Sequence, residues 1–144
     1  MIENDTIKLL RECDAGVRMG TESIDQVTPS VRSAQLLRLL VTCRSAHMEL
    51  GKEIRAELDR FEDKGKKPNP MASAMSKAET GVKLAVDGSD ATVASLMTDG
   101  CNMGVKSLNR YLNQYEAAEE FAKDITKRLI HLEEQLVTDV RGYL

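Results

Sequence analysis

A chain of 144 residues, 42% apolar and 30% charged, has the balance of a single folded domain long enough to bury a core. A net charge of -3 and a pI near 5.5 exclude the basic face of a dedicated nucleic-acid binder. No apolar run approaches the roughly 20 residues of a membrane span, so no membrane insertion is expected. The opening MIENDTIKLL lacks the layout of a signal peptide, and a cytoplasmic location with reduced thiols is the expectation for Cys13, Cys43 and Cys101.

Five helical segments and no strand are predicted, at 5–26, 29–64, 70–87, 89–114 and 117–142. The first carries an apolar stripe of Leu9, Leu10, Cys13, Val17, Gly20, Ile24 and Val27. Thr28-Pro29 reads as an N-cap with proline at the first helical position, opening the second segment. Its stripe runs Leu36, Leu39, Leu40, Cys43, His47, Leu50, Ile54, Leu58 and Phe61, and Gly65 reads as its C-cap. Lys64, Lys66 and Lys67 then form a solvated connection. Asn69-Pro70 repeats the cap device before a shorter segment with Met71, Met75, Ala78, Val82 and Val86 on one side. At about 25 Å this segment matches a bundle length. It is either a crossover returning the chain along the bundle or the first half of a kinked third helix. Asp87-Gly88-Ser89 ends it, with Ser89 capping the fourth segment. That segment places Ala94, Met97, Cys101, Val105, Leu108, Leu112 and Tyr115 on one face. After Asn113-Gln114-Tyr115-Glu116, the acidic Glu119 and Glu120 suit the start of the last helix. Its stripe is Ala122, Ile125, Leu129, Leu132, Leu136, Val140 and Tyr143. The expected fold is an all-α four-helix bundle, one domain over 1–144, with an additional short helix at about 70–87 between the second and third long helices.

Three stretches carry a resemblance: ECDAGVRMGTESI at 12–24, CRSAHMELGKEI at 43–54 and MTDGCNMGVKSLNRYL at 97–112. Together they resemble a bacterial ferritin-like four-helix-bundle family, a domain of unknown function. The resemblance implies a ferritin-like bundle and carries no activity with it. Di-iron members of the wider superfamily take one glutamate from each of two helices and a Glu-x-x-His pair from each of the other two. This chain departs from that pattern on every helix. Glu22 lies about 180° from Cys13 on the first, facing outward. Arg44 stands three residues before His47, where a ligand glutamate belongs. Cys101 and Gly104 fall near positions where the family pattern has carboxylates, and His131 lies about 160° from Leu129. No working di-iron centre is expected, and no cofactor is required.

The residues themselves suggest one other site. Cys13 and Cys43 lie equally far from the first turn as predicted, Cys101 stands a similar distance before the last turn, and His47 is one helical turn from Cys43. Zinc favours such soft ligands, and iron is the other candidate, with Glu133 as a further ligand. The alternative is packing, since free cysteine behaves as a small buried hydrophobe. Glu133 falls about 40° from Leu129 and is the natural partner of His47, although a glutamate on a stripe edge ordinarily reaches solvent. Gly16 and Gly20, and Gly100 and Gly104, recur four apart within helices, where each costs about 1 kcal/mol against alanine. Tight internal packing is the expected compensation; a cavity or a partner helix would serve equally. Seven methionines point to an adaptable core. No phosphate loop, Ser-His-Asp grouping or paired inward carboxylate specifies an enzyme. The expected role is a structural or protein-interaction module that self-associates as a homodimer or higher homo-oligomer; the alternative is a metal-binding or redox protein using the Cys and His residues.

Overall fold

The computed structural model describes residues 2–144. It contains α1 (Ile2–Val27), α2 (Ala34–Arg60), α3 (Pro70–Val86), α4 (Asp90–Gln114) and α5 (Glu120–Val140), with short 3-10 turns at Thr28–Ser30 and Arg141–Tyr143. Among the described residues there is no strand, and no helix is long and apolar enough to cross a membrane.

Cross-helix contacts fix the directions. Asp14 meets Arg55 and Asp25 meets Arg44, so α1 and α2 are antiparallel. Arg128 grips Glu53 with two hydrogen bonds of 2.8 and 3.0 Å, and Glu133 meets His47, so α5 is antiparallel to α2. Thr6 accepts from the Glu119 N–H and Cys13 meets Thr126, so α1 and α5 run parallel. Asp90 at the start of α4 accepts from the backbone N–H groups of Arg32 and Ser33, at the α1–α2 turn. The four long helices therefore run up, down, down and up. Helix α3 carries the chain back between the two parallel ones and is a crossover, lying on α1 and α4; Gln26 donates to the Lys77 carbonyl at 2.7 Å.

Two predicted boundaries move, each for a local reason. Thr28-Pro29 does not open α2. Pro29 sits in the 3-10 turn, the chain extends through Val31, and Ser33 is the cap, accepting from the Leu36 N–H. Asp90 holds that extended strip in place by taking two of its N–H groups. At the other end α2 stops at Arg60 rather than 64. Glu62 adopts φ 56°, and the Asp63 and Glu62 N–H groups bond back to the Leu58 and Asp59 carbonyls, a Schellman closure made without glycine. Gly65, at φ 80°, serves the next bend, where a side chain would run into Asp14. The Asn69 and Ser89 caps form as expected, accepting from Met71 and Ala72, and from Thr92. The first and last segments also shift by a few residues, to 2–27 and 120–140.

The predicted stripes build the core, except on α3. Met71, Met75, Val82 and Val86 are 65–83% exposed, while Leu84, on the other side of the helix, packs against the core. The core itself falls into two apolar clusters. One holds Leu9, Cys13, Val17, Leu50, Leu108 and Leu129; the other holds Ile24, Leu40, Met97, Cys101 and Leu136. Between them, at the level of Gly20, His47, Gly104 and Glu133, the interior is polar.

Candidate functional site

His47 on α2 is 1% exposed, and Glu133 on α5 is 8% exposed. Their Nε2 and Oε1 atoms stand 3.0 Å apart. The other ring nitrogen, Nδ1, lies 2.8 Å from the Cys43 carbonyl oxygen and 3.5 Å from Cys43 Sγ. Both ring nitrogens thus face oxygen acceptors. The doubly protonated imidazolium satisfies both and offsets the buried carboxylate, which an unpaired glutamate in this setting would not tolerate. Burial disfavours the charged ring, but the hydrogen bonds to Cys43 and Glu133, together with the Glu133 charge, outweigh it and raise the His47 pKa to about 10.

Cys101 on α4 is buried beside this pair. Burial and the Glu133 carboxylate push its thiol well above the ordinary range, so it is a neutral S–H. Gly20 on α1 makes the room that the imidazole occupies. A Cβ there would lie 2.9 Å from His47 Cδ2, and one on Gly104 would lie 3.7 Å from Glu133 Cδ. Gly20→Ala is therefore expected to destabilise the fold by about 1–2 kcal/mol, the gain in helix propensity being smaller than the cost of displacing a packed ring. Urea titration of the two proteins measures it.

The structure gathers four of the five sequence candidates, Cys43, His47, Cys101 and Glu133, and leaves Cys13 out. Cys13 lies in the other apolar cluster, with Sγ 3.1 Å from Thr126 Oγ1. Thr126 spends its own proton on the Ala122 carbonyl, so Cys13 is the donor. Thr126 is about 10 Å, two helical turns, along α5 from Glu133. Burial carries the Cys13 thiol up to about 12, against the hydrogen bond to Thr126. Cys13 and Cys43 are not at one height, because the extended strip before Ser33 moves the midpoint of the α1–α2 hairpin toward residue 34. Among the described residues, no three His, Cys, Asp or Glu side chains are arranged to hold a metal ion. One imidazole, one carboxylate and two thiols do not fit a di-iron centre, which draws on four carboxylates and two histidines. Glu22 lies at the rim toward Lys77, and His131 is exposed.

The polar pair is the floor of a half-open cavity of about 700 Å³, within the range of small-molecule sites. Helices α1 and α4 form its walls, from Glu12 to Ile24 and from Met97 to Tyr111, with residues 66–70, Ala72 and Ser76 above. The twelve helical rises from Glu12 to Ile24 give it a length of about 18 Å. Four of the six helical glycines, Gly16, Gly20, Gly100 and Gly104, line it. A Cβ on Gly100 would meet nothing within 4 Å, so tight packing is not what these residues provide on α4; they open space. Sequence spacing alone does not separate the two cases, since each leaves the same Gly-x-x-x-Gly pattern.

A latch holds the roof at one end. Asp14, 2% exposed, accepts from the Lys66 N–H at 2.9 Å and pairs with Arg18 and Arg55 at 3.1 and 3.4 Å. Arg11–Asp63 and Lys66–Glu12 close beside it. The sequence reading did not single out Asp14. Its signals are a carboxylate next to the inward Cys13 and an arginine one turn on.

No protein-family model, curated protein or solved structure matches the chain.

Proposed function

We propose that this chain is a ferritin-like helical bundle that binds a small, mostly apolar molecule in the α1–α4 cavity and performs no chemistry on it. The observation that carries the reading is the cavity itself: about 700 Å³ between α1 and α4, with Gly100 and Gly104 leaving space on the α4 wall, over a buried His47–Glu133 pair. Interior glycine is costly in a helix, and so is apolar wall left facing water. A bound ligand offsets both, stabilising the folded form by mass action. The up-down-down-up order with one crossover supports the ferritin-like part of the reading.

The test uses 1-anilinonaphthalene-8-sulfonate, whose fluorescence rises in apolar surroundings. One dye per chain is expected on the native protein. Gly100→Leu is expected to abolish that signal while keeping or slightly raising thermal stability, because its Cβ meets nothing and leucine is the better helix former. Dye binding unchanged by Gly100→Leu would defeat the reading.

The outward stripe of α3 favours a second role. Met71, Met75, Val82 and Val86 form an exposed apolar row on a surface helix, which supports self-association as a homo-oligomer. Met75→Lys with Val82→Lys is then expected to shift the mass in light scattering to that of one chain at micromolar concentration. A native protein already monomeric there would end this part.

A further inference from the structure

Building on the ligand-binding reading, we infer that the cavity takes a long-chain fatty acid, its unbranched tail lying between α1 and α4 and its carboxylate at the lysine-bearing loop before α3. The first observation is that the two ends of the cavity differ in chemistry. Ile24, Met97 and Leu136, all buried and packed in one apolar cluster, line one end. The other end is reached at Glu12 on α1, where Lys66 and Lys67 line the space. Lys66 is fixed there by its ion pair with Glu12 and by the bond from its N–H to Asp14. Lys67 is exposed and, among the described residues, forms no ion pair. Three of the four residues from 64 to 67 are lysines, in a chain whose net charge is -3. Positive charge is thus gathered where an apolar slot ends. A ligand that is apolar along its length and anionic at its tip matches both ends.

Second, the length suits such a chain. The slot runs about 18 Å from Glu12 to Ile24. With carbon–carbon bonds near 1.5 Å, an extended alkyl chain advances about 1.25 Å per carbon, so about fourteen carbons span it. Third, the middle of the slot calls for no polar partner. His47 donates Nε2–H to Glu133 Oε1 and Nδ1–H to the Cys43 carbonyl, and the Cys101 thiol faces the same carboxylate. The pair is neutral in sum and its donors are taken. A hydrocarbon passing over it strands no donor, whereas a ligand rich in acceptors would find no donor vacant there. The α4 wall has room for the tail. A Cβ at Gly100 would meet nothing within 4 Å, and one at Gly104 would make only ordinary contacts. A cationic tip would face the lysines and find no free counter-charge.

The experiment is competition against the dye, below micelle-forming concentrations, with three probes: tetradecanoate, tetradecyltrimethylammonium and octanoate. The first two share a tail and differ in the sign of the head; the first and third share a head and differ in length. Tetradecanoate is expected to displace the dye at about tenfold lower concentration than the ammonium. Octanoate is expected to need about a hundredfold more than tetradecanoate, because it buries six fewer methylenes. Lys67→Glu, at an exposed position without an ion pair, is expected to keep the native melting temperature and to cut the preference for the anionic probe about tenfold. That ratio is insensitive to any general loosening of the fold, which would weaken both probes alike. Equal potency of the two tetradecyl probes, a preference unmoved by Lys67→Glu, or octanoate as potent as tetradecanoate would overturn the fatty-acid class. With the dye still excluded by Gly100→Leu, the ligand-binding reading would then stand. Failure of the native protein to bind the dye or any probe would remove both.

Discussion

Glu133→Ala is expected to lower the unfolding free energy by about 3–5 kcal/mol, the usual cost of stranding one member of a buried ion pair. In a domain of this length that is a fall of roughly 10 °C in melting temperature. The loss comes less from a missing contact than from an imidazolium left in the core with nothing opposite Nε2. The double change His47→Leu with Glu133→Leu is accordingly expected to recover most of the stability, since it removes both charges together. Urea unfolding of the single and double variants reads the coupling directly. If Glu133→Ala costs less than 1 kcal/mol, the pair is not formed.

The same pair gives the fold a pH dependence of definite sign. Folded His47 keeps its proton to about pH 10, whereas the unfolded imidazole releases it near 6.5. Between those values the folded state holds the additional proton, so stability falls as pH rises, by at most about 1.4 kcal/mol per pH unit. The contribution is complete below pH 6.5 and lost above 10. His47→Leu is expected to flatten this part of the profile. A native profile that rises between pH 7 and 9.5 would contradict the assignment.

The second large effect is expected at Asp14. Asp14→Ala strands the Lys66 N–H and leaves Arg18 and Arg55 without their buried acid, at a cost of about 3 kcal/mol. Asp14→Asn retains an acceptor for the N–H and is expected to lose about half as much. The effect has a location as well as a size. Amide exchange at Lys66 should accelerate at least as much as global unfolding predicts, because this carboxylate joins the start of the crossover to α1. Exchange at Lys66 unaltered by Asp14→Ala would show that the connection is held by other contacts.

Much of the architecture was legible from the chain. The stripes on α1, α2, α4 and α5 place their residues in the core, and Asn69-Pro70 and Ser89 mark two helix starts correctly. What escaped sequence reading depended on distances between elements. The extended strip at Val31–Ser33 is held by Asp90, nearly 60 residues later, and it alone displaces the register that had seemed to bring Cys13 level with Cys43. The α3 stripe has ordinary helical spacing, and nothing local says that the bundle would receive the opposite face. Glu133 lies on the margin of its stripe, where a small rotation of α5 decides between solvent and core. His47, at the centre of its own stripe, was legible as buried; its partner was legible only as one of several candidates.

The clasps at the two ends of the bundle also bear on how the chain assembles. Within each hairpin, α1 with α2 and α4 with α5, partners are close in sequence and meet after a short search. By contrast, Asp90 reaches back to Arg32 and Ser33, Asp5 to Ala117, and Thr6 to Glu119, spanning from 57 to 113 residues. Such contacts carry most of the loop-closure entropy and form late in folding. Two hairpins that form separately and then dock, with these clasps closing last, is the kinetic order expected of this topology. Weakening a clasp should therefore speed unfolding while leaving the folding rate almost unchanged.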